Sequence, residues 1–183
     1  EELKPYTLHY EKILVISATV KSIVGKTLVQ IAEQGGLVPE EALLNTIRAN
    51  EGRVTIIGRT VSQKNTIRAI QDPLAMIASD GIGYAAEELK KENLVHPRSF
   101  GAYPHFWHRF VNDLKLLTPE EAIHKATARP AEKLGIEKRG TLKKGYWADM
   151  IVFDPGTFRD RATYKNPFRY AGGLDTVIVN GVL

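Results

Sequence analysis

Between residues 12 and 80, short apolar runs alternate with helix-forming stretches, and this alternation constrains the fold more than any other feature of the chain. Lys12-Ile13-Leu14-Val15-Ile16-Ser17 is unbroken and rich in β-branched residues, as expected of a strand buried on both faces. Thr27 to Gln34 predicts a short helix closed by Gly35-Gly36. A second helix is predicted from Pro39, a favoured first-turn residue, with Glu40 and Glu41 at the positive end of the helix dipole. Ala42, Leu43, Leu44 and Ile47 share one face of it. Arg53 to Gly58 reads as the next buried strand, and Ser62 as the cap of a helix to Gln71. Asp72-Pro73 stops that helix, and Leu74 to Ala78 reads as a third strand ending at Ser79-Asp80-Gly81. Such alternation predicts an α/β fold with βα units and a parallel sheet.

The second half changes character. Thr118-Pro119-Glu120-Glu121 is a capping box with proline in the first turn, opening a helix through Ala126. Beyond Gly135 short strands and turns follow: Gly145, a strand at Ala148 to Phe153, a turn at Asp154-Pro155-Gly156, and a strand at Thr176 to Val179. The chain starts at Glu1 without methionine and stops inside an apolar pattern, Val179-Asn180-Gly181-Val182-Leu183, so both ends read as cut.

Composition narrows the classes. With 43% apolar and 25% charged residues the chain can bury a core, and no apolar run reaches the roughly 20 residues that span a bilayer. The net charge of +4 is spread along the sequence, which gives no footprint for nucleic acid. The densest basic stretch, Lys138 to Lys144, reads as a solvated turn. Having no cysteine excludes disulfides, thiolate metal sites and cysteine nucleophiles, and fits a cytoplasmic protein.

Asp80 carries the most chemical information. Placed after a buried strand and before glycine, its carboxylate would stand at the carboxyl end of a parallel sheet, where α/β active sites assemble. A plain Asp-Gly turn is the competing reading. His96-Pro97-Arg98, followed by Phe100, Gly101, Tyr103 and Pro104, suits an ordered substrate loop in which a guanidinium holds a carboxylate through two parallel bonds. A surface arginine is the alternative. His105 and His108 are spaced to converge on a metal, yet aromatic packing with Phe106, Trp107 and Phe110 explains the stretch as well. There is no H-x-H, H-E-x-x-H or G-x-S-x-G motif.

Taken in order, these segments resemble the N-acyl-D-amino-acid deacylases of the metal-dependent amidohydrolase superfamily. Met76-Ile77-Ala78-Ser79-Asp80-Gly81 is similar to the family's last barrel strand, and His96-Pro97-Arg98-Ser99-Phe100-Gly101 to its substrate loop. Leu117 to Gly135, with Thr127-Ala128-Arg129-Pro130-Ala131, is similar to the helix after the barrel. Gly145-Tyr146-Trp147-Ala148-Asp149-Met150-Ile151-Val152-Phe153-Asp154 resembles the re-entry into the superfamily's small β-domain.

The resemblance implies the carboxy-terminal strands and helices of a (β/α)8 TIM-type barrel over residues 1–136, then part of a small β-sandwich over 137–183. It implies zinc or another divalent metal, held mostly by residues outside this chain, and an N-acyl (D-)amino acid as substrate. Asp80 would be the catalytic base and could also ligate metal. Arg98 would grip the substrate's α-carboxylate, with His96 beside it in substrate binding. The isolated chain would then be inactive, needing the amino-terminal portion of the same protein. Residues 84–92 are expected to add a helical turn or two between Asp80 and Arg98. A dihydroorotase-like or dipeptidase-like amidohydrolase, or a non-catalytic module that pairs with a separate amino-terminal chain, would fit the same residues.

Overall fold

The computed structural model describes residues 9–59, 61–84 and 94–183, so the extra turn expected over 84–92 lies, apart from Tyr84, outside the described residues. The chain forms two compact units, one of residues 1–62 with 84–96 and one of 63–83 with 97–183.

In the first unit, strand β1 (Ile13–Ala18) pairs with β2 (Val54–Gly58). Val15 is fully buried and Ile16 nearly so, as the unbroken apolar run predicts. The pairing is antiparallel, which corrects the expected parallel sheet. Two helices, α1 (Leu28–Gly35) and α2 (Pro39–Ala49), lie between the strands where a parallel crossover has one. A three-residue link favours an antiparallel helix pair, so the chain reverses once more and β2 returns against β1.

Local chemistry sets the helix ends. Thr27 accepts from the Gln30 amide while the Gln30 side chain accepts from Thr27, a reciprocal cap. Pro39 opens α2, and behind that helix Asn50, 1% exposed, is bonded on both sides. Its oxygen accepts from the Val20 amide at 2.8 Å and its nitrogen donates to the Thr46 carbonyl at 2.8 Å.

In the second unit, α3 (Gln63–Gln71) turns Ile67 and Ile70 toward a core of Phe106, Trp107, Phe110, Val111, Leu117 and Phe158. Residues 74–80 do not form the expected strand; they run without a sheet partner among the described residues. A ladder needs a neighbour, and here the segment is held instead by Lys125. The Ile77 amide donates to the Lys125 carbonyl at 3.0 Å, and the buried Lys125 ammonium donates to the Asp72 carbonyl at the end of α3.

Helix α4 (Arg98–Trp107) continues as a wider π turn over His108–Asp113. Its aromatic face meets the following hairpin: the Trp107 and Phe153 ring centroids are 5.0 Å apart, edge to face. Trp107 Nε1 and Asn112 Nδ2 both donate to the Pro155 carbonyl, at 2.9 and 2.7 Å. Helix α5 (Pro119–Ala126) carries the Thr118–Glu121 capping box read from sequence, and α6 (Ala128–Lys133) follows it. Strands β3 (Met150–Phe153) and β4 (Leu174–Ile178) pair antiparallel as the small β-rich tail. The basic 138–144 stretch is a turn, but Arg139 is tied down by Asp149 and by Asn180 Oδ1, and stacks over Trp147.

Candidate functional site

Asp80 and Arg98 lie together in the second unit. Arg98 Nη2 stands 2.9 Å from Asp80 Oδ2, with the carboxylate side chain 82% exposed. Three local features hold this pair. Asp80 has φ of 46°, a left-handed conformation that aspartate tolerates better than most residues. The Ser79 hydroxyl accepts from the Gly81 amide at 3.2 Å, closing the turn around Asp80. The Ser99 hydroxyl accepts from the Ile82 amide at 3.2 Å, tying the far side of the turn to the start of α4.

Gly81 makes the seating possible. A Cβ at this position would lie 2.9 Å from Ser99 Cα and 3.3 Å from the Arg98 carbonyl oxygen, so only glycine lets the turn approach α4 this closely. The Asp80 carboxylate is thereby set at the amino-terminal end of a ten-residue helix, where the dipole favours negative charge.

Two expectations are revised. Asp80 follows a segment with no sheet partner among the described residues, rather than a sheet strand. The expected substrate loop is helical from Arg98 onward, because Pro97 supplies a fixed φ ahead of a run compatible with helix, and Pro104 is accommodated inside it. His96 is half-buried and belongs to the first unit.

His105 and His108 do not converge. His105 Nδ1 sits 3.1 Å from Asp160 Oδ2, whereas His108 Nε2 is 3.6 Å from Asp113 Oδ1. Among the described residues no three histidine, cysteine, aspartate or glutamate side chains come together to hold a metal. A catalytic zinc takes three protein ligands. These residues do not fit a complete metal centre, and Asp80 is the carboxylate they could add to one. An open groove of about 500 Å³ beside α6, lined by Glu132, Lys138 and Tyr146 among others, includes neither Asp80 nor Arg98.

Sequence reasoning reached Asp80 and Arg98 but missed Ser99, Gly81 as a contact residue, and Lys125. Gly81 directly after Asp80 was the available signal. Lys125 gave none, since a lysine in the last turn of a helix is ordinarily solvated.

The Amidohydrolase family profile matches residues 91–183. An N-acyl-D-glutamate deacylase of Alcaligenes xylosoxydans xylosoxydans is 40% identical over 119 residues, covering 64% of this chain and 23% of the relative. An N-acyl-D-aspartate deacylase of the same organism is 31% identical over 157 residues, covering 86% and 29%. The crystal structure of N-acyl-D-glutamate deacylase from Bordetella bronchiseptica, complexed with zinc and a phosphonate inhibitor, superposes with a TM-score of 0.83 at 30% identity. That match takes in 99% of this chain and 35% of the Bordetella chain, so the chain spans about a third or less of the length of these relatives. With the profile covering half the sequence and the fold shared with a solved deacylase, the chain belongs to the amidohydrolase family.

Proposed function

We propose that this chain is the part of a metal-dependent hydrolase of N-acyl D-amino acids that carries its proton-transferring carboxylate and its substrate clamp. The observation that carries the reading is the Asp80–Arg98 pair, a carboxylate and a guanidinium 2.9 Å apart at the start of α4. In amide hydrolysis a carboxylate takes the proton of the attacking water and delivers it to the departing nitrogen. Asp80, at a turn tip with 82% of its side chain exposed, is accessible for both transfers. Arg98 offers a planar fork matched to an amino acid's α-carboxylate, which fixes the scissile amide relative to Asp80.

The name and zinc of the Bordetella relative support an acyl amino acid substrate and a divalent metal here. We assign the metal's ligands to parts of the protein outside this chain, and residues 1–136 and 137–183 to portions of a barrel and of a β-sandwich. On this reading the isolated chain has no turnover.

The test uses the complete protein that contains this chain, purified with zinc and offered a panel of D- and L-acyl amino acids. Asp80→Asn should lower kcat by roughly 10²–10⁴-fold, the usual worth of a positioned base. Arg98→Ala should raise KM for N-acyl D-amino acids at least tenfold while sparing kcat more. An unchanged KM in Arg98→Ala would remove the clamp from the mechanism, and absence of turnover on the whole panel would remove the function.

A further inference from the structure

We infer that the buried Lys125 is a positioning residue for Asp80, holding the segment in front of it at two points. The inference rests on the function proposed above, which makes Asp80 the base, and adds the residue that places it. Residues 74–80 have no sheet partner among the described residues, so no ladder sets the register of the chain that ends at Asp80. Lys125, in the last turn of α5, supplies that restraint twice. Its ammonium donates to the Asp72 carbonyl, and its own carbonyl accepts from the Ile77 amide at 3.0 Å. The two anchors bracket the run that enters the turn, and Ile77 lies three residues before Asp80. On the far side the turn is tied by Ser99, so Asp80 sits between a tie to α5 and a tie to α4.

Each bond falls where the chemistry calls for a partner. Lys125 is 6% exposed, and a lysine is rarely that buried unless its ammonium is hydrogen-bonded. The Asp72 carbonyl stands just past the end of α3, the negative pole of that helix, where a cation is favoured. It also accepts from the Ala75 amide at 3.0 Å, so the turn after α3 closes on the same oxygen that Lys125 holds. The Lys125 carbonyl is among the last in α5, which have no intrahelical donor, and the Ile77 amide supplies one. Ile77 also packs against the aromatic core. An apolar side chain at 125 could fill the same volume, but it would release Asp72 and leave the Ile77 bond to hold the segment alone. Asp80 could then drift, while Arg98 stays fixed on α4.

The experiment uses the complete zinc-loaded protein and the Lys125→Met variant, which keeps the apolar stem and removes the donor. Its kcat for N-acyl D-amino acids should fall roughly tenfold, as for a reacting group displaced by part of an ångström, with KM changed less than about twofold. In an Asp80→Asn background the same substitution should lower the remaining rate by less than about twofold, because the group it places is gone. Asn50→Ala controls for lost stability alone and should leave both kinetic constants unchanged. An unaltered kcat in Lys125→Met overturns the inference, as does a loss that persists in full beside Asp80→Asn. Should Lys125→Met not fold, hydrogen exchange on the unaltered protein decides. The Ile77 amide should be protected together with the last turn of α5, and exchange at the rate of an open loop overturns the inference. Full activity in Asp80→Asn sinks the proposed function and this inference together. A normal Lys125→Met beside an inactive Asp80→Asn sinks only the inference.

Discussion

Gly81→Ala tests the seating of the candidate base. The added methyl would lie 2.9 Å from Ser99 Cα and 3.3 Å from the Arg98 carbonyl, both backbone atoms of α4 that no side-chain rotation can clear. Ordinary contact begins near 3.4 Å, so the turn must retreat by about half an ångström, at an overpacking cost of about 1–3 kcal/mol. That retreat lengthens the 2.9 Å Asp80–Arg98 contact and weakens the Ile82–Ser99 bond. Displacements approaching 1 Å in a reacting group can cost 10²-fold, so a loss in kcat of about tenfold is expected for half that movement. Gly83→Ala is the internal control, since a Cβ there meets nothing within 4 Å. Urea unfolding of the chain and steady-state kinetics of the complete protein should separate the two variants clearly. If Gly81→Ala and Gly83→Ala match in both assays, the close approach does not position Asp80.

Three further outcomes follow from the structure. Asn50→Ala removes two hydrogen bonds from a buried site and leaves a small cavity, so urea unfolding should show a loss of about 2–3 kcal/mol. The Asp149 carboxyl is held below its ordinary value of 3.8 by the Asn180 amide first and Arg139 second. Its contribution is therefore present in full above that ordinary value and is lost as pH falls through the lower folded value; Asp149→Asn should flatten this part of an acid-unfolding curve. Finally, the isolated chain dialysed against zinc should retain no stoichiometric metal, and atomic absorption finding one zinc per chain would contradict the side-chain geometry.

What could be read from sequence was whatever neighbouring residues decide among themselves. The Thr118–Glu121 box, Pro39 at the start of α2 and the buried run of β1 involve only local bonds or local burial, and all three appear as expected. The direction of β2 depends on how many long elements intervene, and a pattern of apolar runs does not count reversals. Leu74 to Ala78 has the composition of a strand, but a strand exists only against a partner, and the described residues provide none. In the site, Asp80 is singled out because it closes an apolar run and because the Met76 to Gly81 stretch resembles a deacylase motif. Ser99 and Lys125 act through contacts 17 and 53 residues away in sequence, which no local pattern encodes.

The Pro155 carbonyl, which receives hydrogen bonds from both Trp107 and Asn112, has a wider consequence. Both of its lone pairs are engaged, so the turn that follows β3 is fastened to the end of a ten-residue helix about 15 Å long. The opposite tip of that helix bears the guanidinium assigned to grip substrate. A stiff rod clamped at one end transmits any tilt to the other. Lengthening or reshaping residues 154–157 would therefore swing Arg98 and, on the proposed reading, retune which ligands fit.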